Sequence, residues 1–462
     1  MTMNSKYNTR ARRKSLQSVL APVLLVLALA AAFPAARAAA QPSAPAGLDL
    51  GQVLGMAQAN DPGVKQAQAA VQKSQARLLQ NKAAYFPSIK LGMEYSHTSP
   101  NTSVTVPGFG SAQIAPDNSY DYHLALAQEL FSFGRDQAKV AAGKWEVKAA
   151  QSGLAQAREQ TAFQAVQLFY RILLLQQELA ADDEDMRTLN DYLEMTRSKA
   201  GIGVATDFDA LTIEVKLAEA QSVRANGAGE LDKSRIDLAR LLGLENAGQL
   251  ELTGDLSPDG RLPEAAGIVR FGLEHNLELK AADAQERLSH EGARAAQRRY
   301  FPSLNAGFQY GKQNGYGPDL NRLVWNSVGF IKLEMPLFDL GVIGARREAE
   351  ADQKAAAEAR RGTRDGVAAG IERALSDLIA GKAKMDAEKL HLALAEKAAQ
   401  QAKVRYEGGM STGLDLLNVQ ADLSKAKSLY LRSVYEFIMA QASLKKAAGI
   451  PQQTGAANEP AQ

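Results

Sequence analysis

The sequence predicts a mainly α-helical, internally duplicated chain that carries a transmembrane β-barrel portion. Three observations lead there. Landmarks recur after about 210 residues, two stretches of about 65 residues contain no proline, and four segments alternate with a period of two. Each half reads helix, strand, strand, long helix, helix.

The repeat comes first. Tyr85-Phe86-Pro87-Ser88 returns as Tyr300-Phe301-Pro302-Ser303, and Leu130-Phe131-Ser132-Phe133-Gly134 returns as Leu337-Phe338-Asp339-Leu340-Gly341. Arg197 to Asp207, with Gly201 and Gly203, lines up with Arg405 to Asp415, with Gly408 and Gly409. Three matched landmarks in one order point to duplication. The first repeat is expected at 41–250, with strands about 88–97 and 119–131 and a long helix at 134–200. The second is expected at 251–450, with strands about 303–311 and 323–337 and a long helix at 341–407. A flexible tail at 451–462 follows.

An opening helix from about Leu50 to Ala84 is rich in Ala and Gln and stops before Phe86-Pro87, since proline blocks continuation. Its counterpart runs from about Glu264 to Arg299. In the strand segments, Ile89, Leu91, Met93 and Tyr95 alternate with Lys90, Gly92, Glu94 and Ser96. Tyr120 to Leu126 and Leu304 to Tyr310 alternate likewise, whereas the run from Leu323 to Leu337 does so imperfectly. Period two over about ten residues, with tyrosines near the ends, suits a membrane barrel strand. It also suits a half-buried strand of a soluble sandwich. Polar stretches at 97–119 and 312–322 read as loops.

The proline-free stretches place apolar residues three and four apart, as at Phe163, Val166, Tyr170 and Leu173, and at Val367, Ile371, Leu375 and Leu378. At about 1.5 Å per residue each makes a rod of about 100 Å. Such rods exceed a compact domain and belong in a coiled coil or tunnel wall. Shorter helices before the strands and after the glycine turn (Thr206 to Leu242) could stack end to end beside each rod.

Residues 1–40 carry the marks of an export signal: Arg10, Arg12, Arg13 and Lys14, then an apolar run from Val19 to Phe33, then small-residue sites. The chain has no cysteine, which excludes thiol catalysis, disulfides and zinc–thiolate sites. Five scattered histidines lack metal-ligand spacing, and no cofactor is expected. With 53 Lys and Arg against 51 Asp and Glu, no field points to nucleic acid. Gly201-Ile202-Gly203 follows a helix rather than a strand, so a phosphate loop is excluded. The acidic run Asp182-Asp183-Glu184-Asp185 reads as a solvated helix face, Trp145 and Trp325 read as packing or interfacial residues, and no nucleophile–base pair suggests an enzyme.

Four strands cannot close a membrane barrel, which takes at least about eight, and open edges in lipid leave amides unpaired. Copies of the chain must combine. Asn60-Asp61-Pro62, the Tyr-Phe-Pro-Ser landmarks, Gly203-Val204-Ala205-Thr206-Asp207 and Gly409-Met410-Ser411-Thr412-Gly413-Leu414-Asp415 together resemble the TolC family of outer-membrane efflux proteins. The resemblance spans about Leu48 to Ile450. It implies a homotrimer with a twelve-stranded barrel in outer-membrane lipid and a twelve-helix periplasmic α-barrel. It also implies a periplasmic adaptor and an inner-membrane pump of RND or ABC type, serving efflux or type I secretion. A trimeric surface adhesin is the structural alternative, but an adhesin would hold its strands in one terminal region. A periplasmic adaptor hairpin would leave the four strands unexplained.

The resemblance also assigns the turns. Gly201, Ile202, Gly203, Gly408, Gly409 and Met410 would face the adaptor, although ordinary hairpin turns need the same glycines. Asp207 and Tyr406 match positions that hold neighbouring helices together in the closed state, through a carboxylate–phenol hydrogen bond. Asp415 matches a constriction aspartate, which in a trimer makes a ring of three carboxylates. Both aspartates would equally serve as helix N-terminal charges. Asn418 stands where the family's archetype has a second aspartate, and Ser411 where it has an arginine. A less acidic constriction and a looser gate follow.

Overall fold

The computed structural model describes residues 47–452, apart from 101, 109, 247–249 and 259–264. The expected export signal and residues 453–462 of the expected tail lie outside the described residues. The first half runs α1 (Leu50–Asn60), α2 (Pro62–Lys82), β1 (Ser88–His97), β2 (Ser103–Val106), β3 (Gly110–Gln113), β4 (Asn118–Phe131), α3 (Arg135–Gly201) and α4 (Asp207–Leu242). The second runs α5 (Ala265–His275), α6 (Leu277–Gln297), β5 (Ser303–Gln313), β6 (Val324–Glu334), α7 (Leu340–Glu407) and α8 (Gly413–Ala447). The helix pairs match closely: α1 and α5 have 11 residues each, α2 and α6 have 21 each, and α3 and α7 have 67 and 68. The duplication is therefore structural as well as textual.

The expected helix bounds need correction. The opening helix of each half is not continuous but breaks at Asp61 and at Asn276. At Asp61 the following Pro62 disfavours helical ψ, so the residue turns to ψ 127° and its carboxylate caps α2 by accepting from Val64 N at 3.0 Å. No proline marks the second break. There Asn276, at ψ 133°, caps α6 by accepting from Glu278 N and Leu279 N. The same side chain donates to the Ala447 carbonyl at 2.9 Å, the bond that Asn60 makes to Leu242 at 2.8 Å in the first half. These two bonds hold the α1–α2 break against the end of α4 and the α5–α6 break against the end of α8. Asn276→Ala should cost about 2–3 kcal/mol, a helix cap plus the hydrogen bond to a part-buried carbonyl. Asn60→Ala keeps its Asp61 cap and should cost about 1 kcal/mol. Thermal dissociation midpoints test the order, and equal midpoints would refute it.

Four strands form one antiparallel sheet in the order β1-β4-β5-β6, so the halves join through β4 and β5 while β1 and β6 are its edges. Register puts Ile89, Leu91, Met93 and Tyr95 beside Leu126, Leu124, Tyr122 and Tyr120. The same face continues through Phe308 and Tyr310 to Ile331 and Leu333. All of these apolar side chains are exposed. The opposite face carries Lys90, Glu94, Asp121, His123, Asn305 and Gln309. The irregular alternation of the fourth run now has a cause. Val328 and Phe330 sit on the polar face, where Phe330 lies over Gly307 and leaves no room for a Cβ. That strand stops at Glu334, short of the expected 337, because Pro336 follows. The stretch expected as a plain loop after β1 instead folds back as the β2–β3 hairpin, where Val104 and Thr105 supply β propensity. Asn314, almost fully buried, ties the two loop bases by accepting from Tyr120 N at 2.7 Å and donating to the Asn118 carbonyl at 2.7 Å.

Away from the sheet, α3 packs against α2 and α4 and also against α6 and α8, and α7 covers the latter pair. Arg77–Glu146 at 2.7 Å fixes α2 near the start of α3, and Arg197–Glu214 at 2.6 Å fixes α4 near its end. The largest cores lie midway, one around Val53, Phe169, Leu238 and Leu242, the other around Ile371, Leu378 and Phe437. The linker between halves crosses this level, with Leu48 and Leu252 bridged in parallel. Among the described residues no helix is long and apolar enough to cross a membrane.

Candidate functional site

Farthest from the sheet, two turns close the helix pairs α3–α4 and α7–α8. Each is built from the same two local devices. Helix α3 ends in a Schellman motif: Val204 N donates to the Lys199 carbonyl and Gly203 N to that of Ala200, both at 2.9 Å. Gly203 has φ +77°, a conformation costly for any residue with a Cβ. Helix α7 ends identically, through Met410 N to Arg405 O and Gly409 N to Tyr406 O, with Gly409 at φ +70°. A capping box then starts each returning helix. Thr206 exchanges bonds with Asp209, and Thr412 with Asp415.

This geometry corrects the repeat alignment. Gly203 matches Gly409 and Thr206 matches Thr412, so the repeat mate of Asp415 is Asp209, not Asp207. The Asp415 carboxylate accepts from Thr412 Oγ1 at 2.7 Å and Thr412 N at 3.0 Å. Those bonds from the Thr412 hydroxyl and amide hold its pKa below the ordinary carboxylate value, and those of Thr206 do the same for Asp209. Asp415 therefore does serve as an N-terminal helix charge, and it remains solvent-exposed. Asp207 is the exposed first residue of α4, and Asn418 is exposed one turn into α8. Ser411 is half-buried, and its hydroxyl meets no partner among the described residues.

Tyr406 is the buried member, at 6% exposure. Within the chain its hydroxyl is hydrogen-bonded not to Asp207 but to Thr196 Oγ1 of α3, at 2.8 Å. The cause is placement: Tyr406 sits on the α7 face turned toward α3, while Asp207 points to solvent at a helix start. Lys199 completes the clasp. Its ammonium donates to the Tyr406 carbonyl at 2.6 Å and lies 3.9 Å above the ring. Leu189, Leu193, Ile213, Leu416 and Leu417 surround the joint. Sequence reading missed Thr196 and Lys199, for which no local pattern exists. It also passed over the apolar tip residues Val204, Phe208 and Leu414, exposed beside Ile202 and Met410. Apolar residues at a solvent-facing turn were the available signal.

The acidic run is a second correction. It is not a plain solvated face. Asp183 pairs with Arg224 of α4, Glu184 with Lys427 of α8, and Asp185 accepts from Gln420 and Ser424 of α8. The run stitches three helices together above the tip. Among the described residues Asp182 has no such cross-link, and burial, then the carboxylates of Glu178, Asp185 and Asp183, raise its pKa.

The outer membrane efflux protein family model matches residues 53–244 and 272–450. The chain belongs to that family. This outer membrane efflux protein is 24% identical over 411 residues to protein CyaE of Bordetella pertussis, covering 87% of this chain and 84% of the relative. It is 23% identical over 413 residues to the pyoverdine export outer membrane protein OpmQ of Pseudomonas putida, covering 87% and 86%. Among solved structures it is similar to the outer membrane protein VceC of Vibrio cholerae, with TM-score 0.75 and 19% identity over 87% of this chain and 97% of that one. The CmeC outer membrane channel of Campylobacter jejuni gives TM-score 0.74 at 16% identity, covering 87% and 85%. The mainly helical duplicated fold is thus that of this family, and the efflux protein is a transport channel of the outer membrane.

Proposed function

We propose that three copies of the chain close a twelve-stranded barrel in the outer membrane, and that their helices form one continuous tunnel into the periplasm. The observation that carries this reading is the four-stranded sheet itself. One face is apolar and exposed, and the outer edges of strands β1 and β6 have no partner among the described residues. In lipid each unpaired amide costs several kcal/mol, so β6 of one copy must pair with β1 of the next. Conduction is passive. An inner-membrane pump of RND or ABC type supplies the cargo, and a periplasmic adaptor docks on the tip turns, where Ile202, Phe208 and Met410 expose 76%, 74% and 66% of their surface. The tip turns are the gate. Tyr406 clasps α7 to α3, and three copies of Asp415 line the narrowest passage, with Asn418 one turn behind adding no charge.

Single-channel recording in planar bilayers tests the ring. Asp415→Ala should lower the preference for cations, because a ring of three carboxylates sets the local field. Unchanged ion selectivity in a conducting assembly would remove Asp415 from the constriction.

A further inference from the structure

At the border between sheet and rods, a cavity of about 470 Å³ opens between α3 and α6, beneath the β4–β5 pair. Its upper wall is Phe131 and Phe133, and its lower wall is formed by Arg298, Arg294 and the Glu291 carboxylate that Arg294 pairs with. A β-bulge between Glu129 and Phe131 turns Phe131 to the side of its partner Leu304, which is the apolar, lipid-facing side of the sheet. The cavity therefore faces outward, at the level where the strands leave the hydrocarbon.

Its construction is over-determined. Phe133 has φ +50°, and among the described residues no other non-glycine residue has positive φ. A bulky residue held there is strained, and such strain marks positions the surroundings force. The Phe133 ring is edge-on to Phe131 at 4.6 Å and stacked on Phe301 at 6.2 Å. Its carbonyl accepts from Arg298 Nη1 at 3.0 Å. Arg298 also lies over the Phe301 ring at 5.4 Å. Among the described residues, no carboxylate lies within ion-pair distance of Arg298. Arg294 is the second cation and shares the carboxylate of Glu291 at 3.0 Å and 3.1 Å. So the cavity offers aromatic rings above, toward hydrocarbon, and an uncompensated guanidinium below, toward water.

We propose that this cavity binds the phosphate head group of an anionic phospholipid in the periplasm-facing leaflet. Arg298 and Arg294 hold the phosphate, and the acyl chains rise along the apolar face of β4 and β5. Planar guanidinium groups suit phosphate oxygens, and aromatic rings suit the interfacial level. The site lies in the middle of each copy, whereas neighbouring copies meet at β1 and β6, so assembly leaves it open. It rests on the outward assignment of the apolar strand face, and an assembly that conducts but retains no lipid would overturn this site alone.

Native mass spectrometry of the assembly, released from micelles doped with phosphatidylglycerol, tests it. The wild type should retain up to one phosphatidylglycerol per chain. Arg298→Gln should weaken retention about tenfold, as expected for one charge-assisted contact. Gln137→Trp fills the cavity from an exposed helix position while leaving both arginines in place, and it should weaken retention as well. If Arg298→Gln fails to assemble, Gln137→Trp decides. Excess inorganic phosphate should not displace the lipid. Equal retention by wild type and Gln137→Trp would overturn the proposal, as would displacement by phosphate, which would mark a free-anion site.

Discussion

Leu124→Arg is expected to abolish the assembled channel, while Gln309→Arg, one strand away, leaves it intact. Leu124 lies on β4 between Leu91 of β1 and Tyr310 of β5, in the middle of the exposed apolar face. A guanidinium at the bilayer midplane of a barrel costs about 2–4 kcal/mol. With one copy in each of three chains the penalty is about 6–12 kcal/mol per assembly, comparable to the whole stability of an ordinary domain. Gln309 pairs with Ala125 and Val328 on the opposite face. That face meets water in the barrel interior, where a surface substitution stays within about 0.5 kcal/mol. The check is the yield of heat-resistant oligomer in outer-membrane extracts of the two variants. Normal yield from Leu124→Arg would show that the apolar face does not meet lipid, and the barrel reading would fail with it.

How much of this was legible follows from the range of the interactions. Period two along β1 and the absence of proline through α3 and α7 are local, so strands and rods could be read directly. The Tyr-Phe-Pro-Ser landmarks survive because proline and the following strand impose the same turn twice. Asn276 was illegible as a break. Its cap is local, but an asparagine within a helical pattern carries no more signal than a surface residue, and its second partner, Ala447, is 171 positions away. The fourth strand looked irregular because Phe330 answers to Gly307 on another strand. In the candidate site, Gly203 and Gly409 could be picked out from turn chemistry, whereas Asp207 and Asp415 came from the family resemblance and the capping Asp209 was passed over. The repeat alignment slipped by two positions because glycines were matched without their caps. The Tyr406–Thr196 bond spans 210 positions and joins two residue types found anywhere on helices. Only the packing of α3 against α7 at the tip brings them together.

Tyr406→Ala is expected to open the tip. The side chain is buried among Leu189, Leu193, Leu416 and Leu417, it bonds Thr196 at 0% exposure, and its ring carries the Lys199 ammonium. Truncating a buried aromatic to alanine costs about 3–5 kcal/mol. The turns themselves would persist, since each keeps its Schellman glycine and its capping box. The loss therefore falls on the contact between α3 and α7, and about 3 kcal/mol there shifts a closed–open equilibrium by more than about a hundredfold. Tyr406→Phe separates the ring from its hydroxyl. It keeps the packing and the cation above the ring but leaves the buried Thr196 hydroxyl unpaired, at about 1–3 kcal/mol. Single-channel conductance should rise in the order wild type, Tyr406→Phe, Tyr406→Ala, with assembly preserved in all three because the sheet edges lie at the other end of the rods. Identical conductance in all three would mean that this clasp does not hold the tunnel shut, and the gate would have to be sought in contacts between copies instead.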